Sequence, residues 1–112
     1  TASTRSFTDR ARALLAQELA NGQIRLDRIA RAMHVSRTTL NRRLAAEGAQ
    51  FRSLVVDARK EAALRALQRP TLSVREVAEH AGYDDATAFA KAFKRWTGSS
   101  PAEHRKAKTS LS

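Results

Sequence analysis

The chain has 112 residues, 42% of them hydrophobic but only 5% aromatic, and carries 21 Lys+Arg against 11 Asp+Glu for a net charge of +10. That length suits one domain, or two very small subdomains sharing a core, built mostly from Leu, Val, Ile and Ala. The cationic excess points to a polyanionic partner, nucleic acid or an acidic membrane surface, and the absence of cysteine excludes disulfides, thiolate metal sites and cysteine nucleophiles. No apolar run is long enough to span a bilayer and no signal-peptide pattern opens the chain, so a cytoplasmic location is expected. The chain opens on Thr1 without a methionine, as a piece of a longer protein would.

Helical periodicity dominates. Residues 1–6 are small and polar, a frayed start. Thr8 is the expected N-cap of a first helix, with Asp9 in its first turn and Ala11, Leu14, Leu15 and Leu19 along one side. That helix stops at Asn21-Gly22. A short helix over 27–34 turns Leu26, Ile29, Ala30 and Met33 inward. His34-Val35 forms a turn, Ser36 caps the next helix over 36–47, Leu40 and Leu44 are its buried side, and Gly48 ends it.

Residues 51–69 lack Gly and Pro and form a linker helix with two apolar stripes. Phe51, Leu54, Val55, Ala58 and Ala62 make one; Val56, Ala63 and Leu67 make the other, as in a helix gripped from both sides. Nineteen residues rising about 1.5 Å each give roughly 28 Å, near the roughly 34 Å of one duplex turn that separates successive major grooves on one face. Arg59 lies between the stripes, suited to an ion pair or a phosphate contact.

Pro70 ends the linker. Ser73 and Glu76 have capping-box spacing. Val74, Val77, Ala78 and Ala81 line one helix face, Gly82 is the stop, and Asp84 or Asp85 caps a further helix over 85–96. Phe89, Phe93 and Trp96 form that helix's inner face, so Trp96 is a core residue. Ser100-Pro101 starts a last helix ending near Ala107, and 108–112 is a disordered tail. The reading is all-α: a first helix-turn-helix subdomain over 1–50, a linker helix over 51–69 and a second helix-turn-helix subdomain over 70–107.

Two stretches carry a family likeness. RKEAALRALQ followed by LSVREVAEHAGYDDATAFAKAFKRWTGSSPAEHRK, and upstream VSRTTLNRRLAAEGAQFRSLVVDAR, resemble the C-terminal DNA-binding domain of AraC/XylS-family transcription regulators. The likeness spans about Leu26 to Arg105. It is carried by Ala81-Gly82-Tyr83, the Phe89 and Phe93 pair, and the separation of Gly98 from Pro101. It implies about seven helices in two helix-turn-helix subdomains, binding to an asymmetric promoter site, and contact with RNA polymerase. It also implies a large N-terminal effector or dimerisation domain that this chain lacks.

The outward faces then name the residues expected on double-stranded DNA. With Leu40 and Leu44 buried, Thr38, Asn41, Arg42 and Ala45 lie opposite, flanked by Arg37 and Arg43. Arg42 can fork onto guanine and Asn41 can pair with adenine. These are also positions the family uses for base contacts. Opposite Phe89, Phe93 and Trp96 lie Thr87, Lys91 and Lys94, with Ala88, Ala90 and Arg95 at the sides. Lysines suit phosphates better than bases, and Ala86, Ala88 and Ala90 stand where many family members carry bulkier or more polar residues. The second unit is therefore expected to anchor more than it reads. His34, His80 and His104 are too scattered for a metal site and are taken as surface or turn residues; no cofactor is expected, no acid–base pair is recognisable, and the expectation is a non-enzymatic, monomeric DNA binder. The rivals are the DNA-binding arm of a transposase or recombinase, a polymerase-contacting module that does not read DNA, and a membrane-surface protein. The last needs a continuous exposed apolar face.

Overall fold

The structure is a computed structural model that describes residues 6–22 and 24–111. Seven helices follow in order: α1 (Phe7–Ala20), α2 (Leu26–Ala32), α3 (Arg37–Ala46), α4 (Phe51–Leu67), α5 (Val74–His80), α6 (Ala86–Thr97) and α7 (Pro101–Leu111). Among the described residues there is no strand. Two compact units divide the chain within α4, Thr1–Ala58 and Arg59–Ser112. Each has a core of its own among the described residues. Phe7, Ala11, Leu15, Ile29, Ala30, Leu40, Leu44 and Leu54 pack together in the first; Ala63, Ala66, Leu67, Val77, Ala78, Ala81, Phe89 and Phe93 do so in the second.

The two stripes expected on the linker helix divide between the two cores, apart from Ala62 and Val56. Phe51, Leu54, Val55 and Ala58 pack in the first cluster, whereas Ala63, Leu64, Ala66 and Leu67 pack in the second. Val56, assigned to the second stripe from sequence, is 37% exposed. It stands in the part of α4 that belongs to the first unit, whereas Ala63 and Leu67 of its stripe pack in the second. The helix has 17 residues, two fewer than expected, because Gln68 and Arg69 close a turn onto Arg65 and Ala66 carbonyls ahead of Pro70.

Helix ends account for most of the other departures. Ser6, not Thr8, caps α1 by accepting the Asp9 amide. Thr8 lies inside the helix at 6% exposure, where its hydroxyl donates to Glu47. Ser36 caps α3 and Asp85 caps α6 through their side chains. Ser73 and Glu76 form the expected capping box on α5, and Ser100 and Glu103 bond reciprocally at the start of α7. The α7 backbone continues to Leu111 rather than stopping at Ala107 and giving way to a disordered tail. Nothing in Lys108–Leu111 breaks a helix, since Gly and Pro are both absent.

Both support helices end in the same left-handed turn. After α5, Gly82 has φ +84, with its amide on Glu79 O at 2.9 Å and the Tyr83 amide on Ala78 O at 2.9 Å. After α2, His34 takes that place at φ 60, with its amide on Arg31 O at 3.1 Å and the Val35 amide on Ala30 O at 3.0 Å. This pairing of bonds satisfies the last carbonyls of a helix, and it suits glycine because a Cβ crowds the left-handed backbone. His34 accepts that strain. His34→Gly is expected to stabilise the first unit by about 0.5–1 kcal/mol, and the β-branched His34→Val to destabilise it. Urea unfolding of the two variants against wild type checks both signs.

Candidate nucleic-acid interface

Two helices present a cationic or polar face to solvent over a fully buried inner face. On α3, Leu40 and Leu44 are completely buried. Thr38, Asn41, Arg42 and Ala45 on the opposite side are all exposed, as are Arg37 and Arg43. The face offers a guanidinium, a carboxamide and a hydroxyl within one and a half turns, the groups that pair with guanine, adenine and phosphate.

Arg43 differs from its neighbours. Its guanidinium lies over the Phe7 ring at 4.1 Å from the centroid, and Arg10 approaches the same ring at 5.6 Å. Beside it, Glu47 accepts the Phe7 amide at 3.2 Å and the Thr8 amide at 2.8 Å, as well as the Thr8 hydroxyl. The residue that closes α3 thus binds the first-turn amides of α1, where a negative charge also meets the positive end of the helix dipole. The Thr8 hydroxyl first, then the Thr8 and Phe7 amides and the Arg43 charge, hold the Glu47 carboxyl below its ordinary value against a smaller desolvation effect. Sequence reasoning missed this latch because it joins residues some forty positions apart, and no local pattern marks it.

On α6 the inner face is Phe89, Ala92 and Phe93, all buried, with Trp96 half-buried against the same cluster. The rings pack at an angle: Phe89 to Phe93 at 5.7 Å between centroids, Phe93 to Trp96 at 6.4 Å, and Tyr83 to Phe89 at 5.6 Å. Such tilted contacts favour aromatic quadrupoles over face-to-face stacking. Thr87, Ala88, Lys91, Lys94 and Arg95 are exposed. Ala86 packs against the core and Ala90 is half-buried, so of the three alanines only Ala88 presents a fully exposed methyl.

Other sequence assignments change. Arg59, expected in an ion pair or on a phosphate, makes a different structural contact: Nη1 donates to Gly82 O at 3.2 Å and the guanidinium covers the Tyr83 ring at 4.9 Å. His104, expected as a surface or turn residue, is half-buried and edge-on to Phe93 at 5.5 Å. Arg105, unassigned from sequence, donates to Leu67 O, Leu72 O and Arg69 O at 3.1, 2.7 and 3.2 Å, closing the end of α4. Among the described residues no group of three or more His, Cys, Asp or Glu could hold a metal ion, and no helix is long and apolar enough to cross a membrane.

The arrangement defines a class: a support helix, a left-handed turn and a solvent-facing second helix, twice in one chain, is a double helix-turn-helix domain. A helix-turn-helix domain family model matches residues 29–107, and the chain belongs to that family, of the AraC/XylS type. The Transcriptional activator NphR of a Rhodococcus species is 38% identical over 97 residues, 87% of this chain and 29% of that protein. Across the curated relatives it matches, the chain spans 19% to 37% of their length. Among solved structures, a DNA-binding transcriptional dual regulator from Escherichia coli K-12 superposes at TM-score 0.89 over 96% of each chain, with 22% identity, and so shares the fold. The DNA-binding domain of AdpA, solved with a target DNA, matches at TM-score 0.78 and 27% identity over 96% of each chain.

Glu47→Gln is expected to destabilise the first unit at neutral pH. The sign of its pH dependence follows from the lowered folded-state value: the wild-type carboxylate stabilises above the unfolded-state value, and the effect is lost as pH falls through the folded one. The difference between wild type and Glu47→Gln should therefore shrink on acidification. Urea unfolding from pH 7 down to pH ~3 checks it.

Proposed function

We propose that this chain binds double-stranded DNA sequence-specifically as a monomer, with α3 and α6 entering successive major grooves, and serves a transcription regulator without catalytic activity of its own. The observation that carries this is the α3 face: Thr38, Asn41 and Arg42 exposed together on a helix fixed by the fully buried Leu40 and Leu44. A base-reading side chain gains specificity only if its backbone does not move, and two buried leucines supply that constraint, each worth about 2–5 kcal/mol on truncation to Ala. AdpA, of similar fold, was solved on DNA, and NphR is a transcriptional activator.

Within this reading the two outer helices divide the labour. Arg42 and Asn41 read base edges and Thr38 meets a thymine methyl or a phosphate. Lys91 and Lys94 bind phosphates, with Thr87 beside them and the exposed Ala88 methyl permitting close approach. Arg37 adds a flanking phosphate contact. Arg43 contributes charge from its seat on Phe7 rather than a reaching side chain. Much of the +10 charge then acts as a sequence-independent attraction that salt weakens. A cytoplasmic setting, an N-terminal effector or dimerisation domain in the full protein, and contact with RNA polymerase complete the reading.

Selection of bound sequences from a random duplex pool tests it. A motif spanning two major-groove segments is expected; absence of any preference at moderate salt would sink the proposal. Arg42→Ala should cost about 1–3 kcal/mol at one base pair and relax preference there, and an equal loss on every sequence would make Arg42 a phosphate contact. Lys91→Ala should weaken all sequences alike and flatten the salt dependence by about one unit of log K against log salt. A changed motif in that variant would mean that α6 reads bases.

A further inference from the structure

Arg59 sits on α4, outside both helix-turn-helix motifs, yet it grips the turn of the second one. Its Nη1 donates to the Gly82 carbonyl at 3.2 Å, on the residue whose φ of +84 ends α5. The same guanidinium lies over the Tyr83 ring at 4.9 Å. Tyr83 in turn meets the inner face of α6, with Phe89 at 5.6 Å and Trp96 at 6.1 Å between centroids. A continuous set of contacts therefore runs from α4, through the turn, to the buried side of α6. Arg59 is half-buried, and both interactions use the flat guanidinium, which a lysine ammonium cannot reproduce together.

We propose that Arg59 is the positioning residue for α6 on DNA: it fixes the α5–α6 turn against α4 and so sets where Lys91 and Lys94 meet the phosphates. This rests on the proposed two-helix mode of binding. Burial of Phe89 and Phe93 fixes which side of α6 faces out. It leaves the path of the turn, and with it the placement of the first turn of α6, to the contacts made by Gly82 and Tyr83. Contact geometry at a binding face tolerates errors of only about half an ångström before interactions weaken.

The test compares wild type with Arg59→Met, which keeps the aliphatic stem, and Arg59→Lys, on the duplex selected by wild type. Hydroxyl-radical footprinting should show two protected backbone segments for wild type. Both variants should lose protection over the α6 segment and keep it over the α3 segment, with Kd raised about 5- to 20-fold. The salt dependence should flatten by about two units, one for each lysine withdrawn from its phosphate. A variant that only lowers the folded fraction would weaken both segments together and leave the salt slope unchanged, which would overturn the proposal. If Arg59→Met does not fold by circular dichroism, Tyr83→Leu, which removes the ring platform and leaves the Gly82 carbonyl, decides on the same readouts. A single protected segment in wild type would overturn both this inference and the two-groove reading, whereas two segments retained in every variant would overturn this one alone.

Discussion

Leu40 and Leu44 on α3, and Phe89 and Phe93 on α6, are fully excluded from solvent. Each pair is spaced by four, so each fills one side of its helix and leaves the other side to water. Every exposed group on these helices takes its direction from that burial. A short helix has little stability of its own, so packing of the inner face is what holds it as a helix. The outward array of Thr38, Asn41 and Arg42 is in this sense a consequence of two leucines.

The units solve the same problem with different materials. The second uses aromatic rings at tilted angles around Tyr83, Phe89, Phe93 and Trp96, a full capping box on α5 and a glycine turn. The first uses mostly aliphatic side chains, with Phe7 and Phe51 among them, an α2 with no side-chain cap and a histidine in the left-handed turn. It offsets these weaker ends with a long-range carboxylate, Glu47, on the first amides of α1. Lowered carboxyl values at Glu47, Glu76 and Glu103 share one cause, hydroxyl and amide donors at a helix start.

The basic residues do not form one population. Arg59 and Arg105 spend their guanidinium donors on backbone carbonyls, and Arg43 rests on an aromatic ring. Such arginines hold helices together, and the planar fork makes them better at it than lysine. Arg42, Lys91 and Lys94 stand exposed on the outer helices. Net charge alone therefore overstates the charge available to a polyanion as reaching side chains, and only placement separates the two kinds.

The sequence by itself determined the seven helices, their order and both inward faces, because period, caps and stops are local: Ser36, Ser73, Gly48, Gly82 and Gly98 each act within a few residues. It also determined which side of α3 and α6 is exposed, since burial of the apolar side leaves no choice. Tertiary structure decided what local pattern cannot encode. Thr8 became a buried partner of Glu47 instead of a cap, because a second element reached it and Ser6 was closer to the helix start. Val56 fell outside either core, because it stands in the first unit while the rest of its stripe packs in the second. Arg59 and Arg105 became struts because backbone carbonyls 23 and 33 to 38 positions away lay within reach. A side chain's partner across such distances is set by packing, and packing is settled only once all the helices are in place.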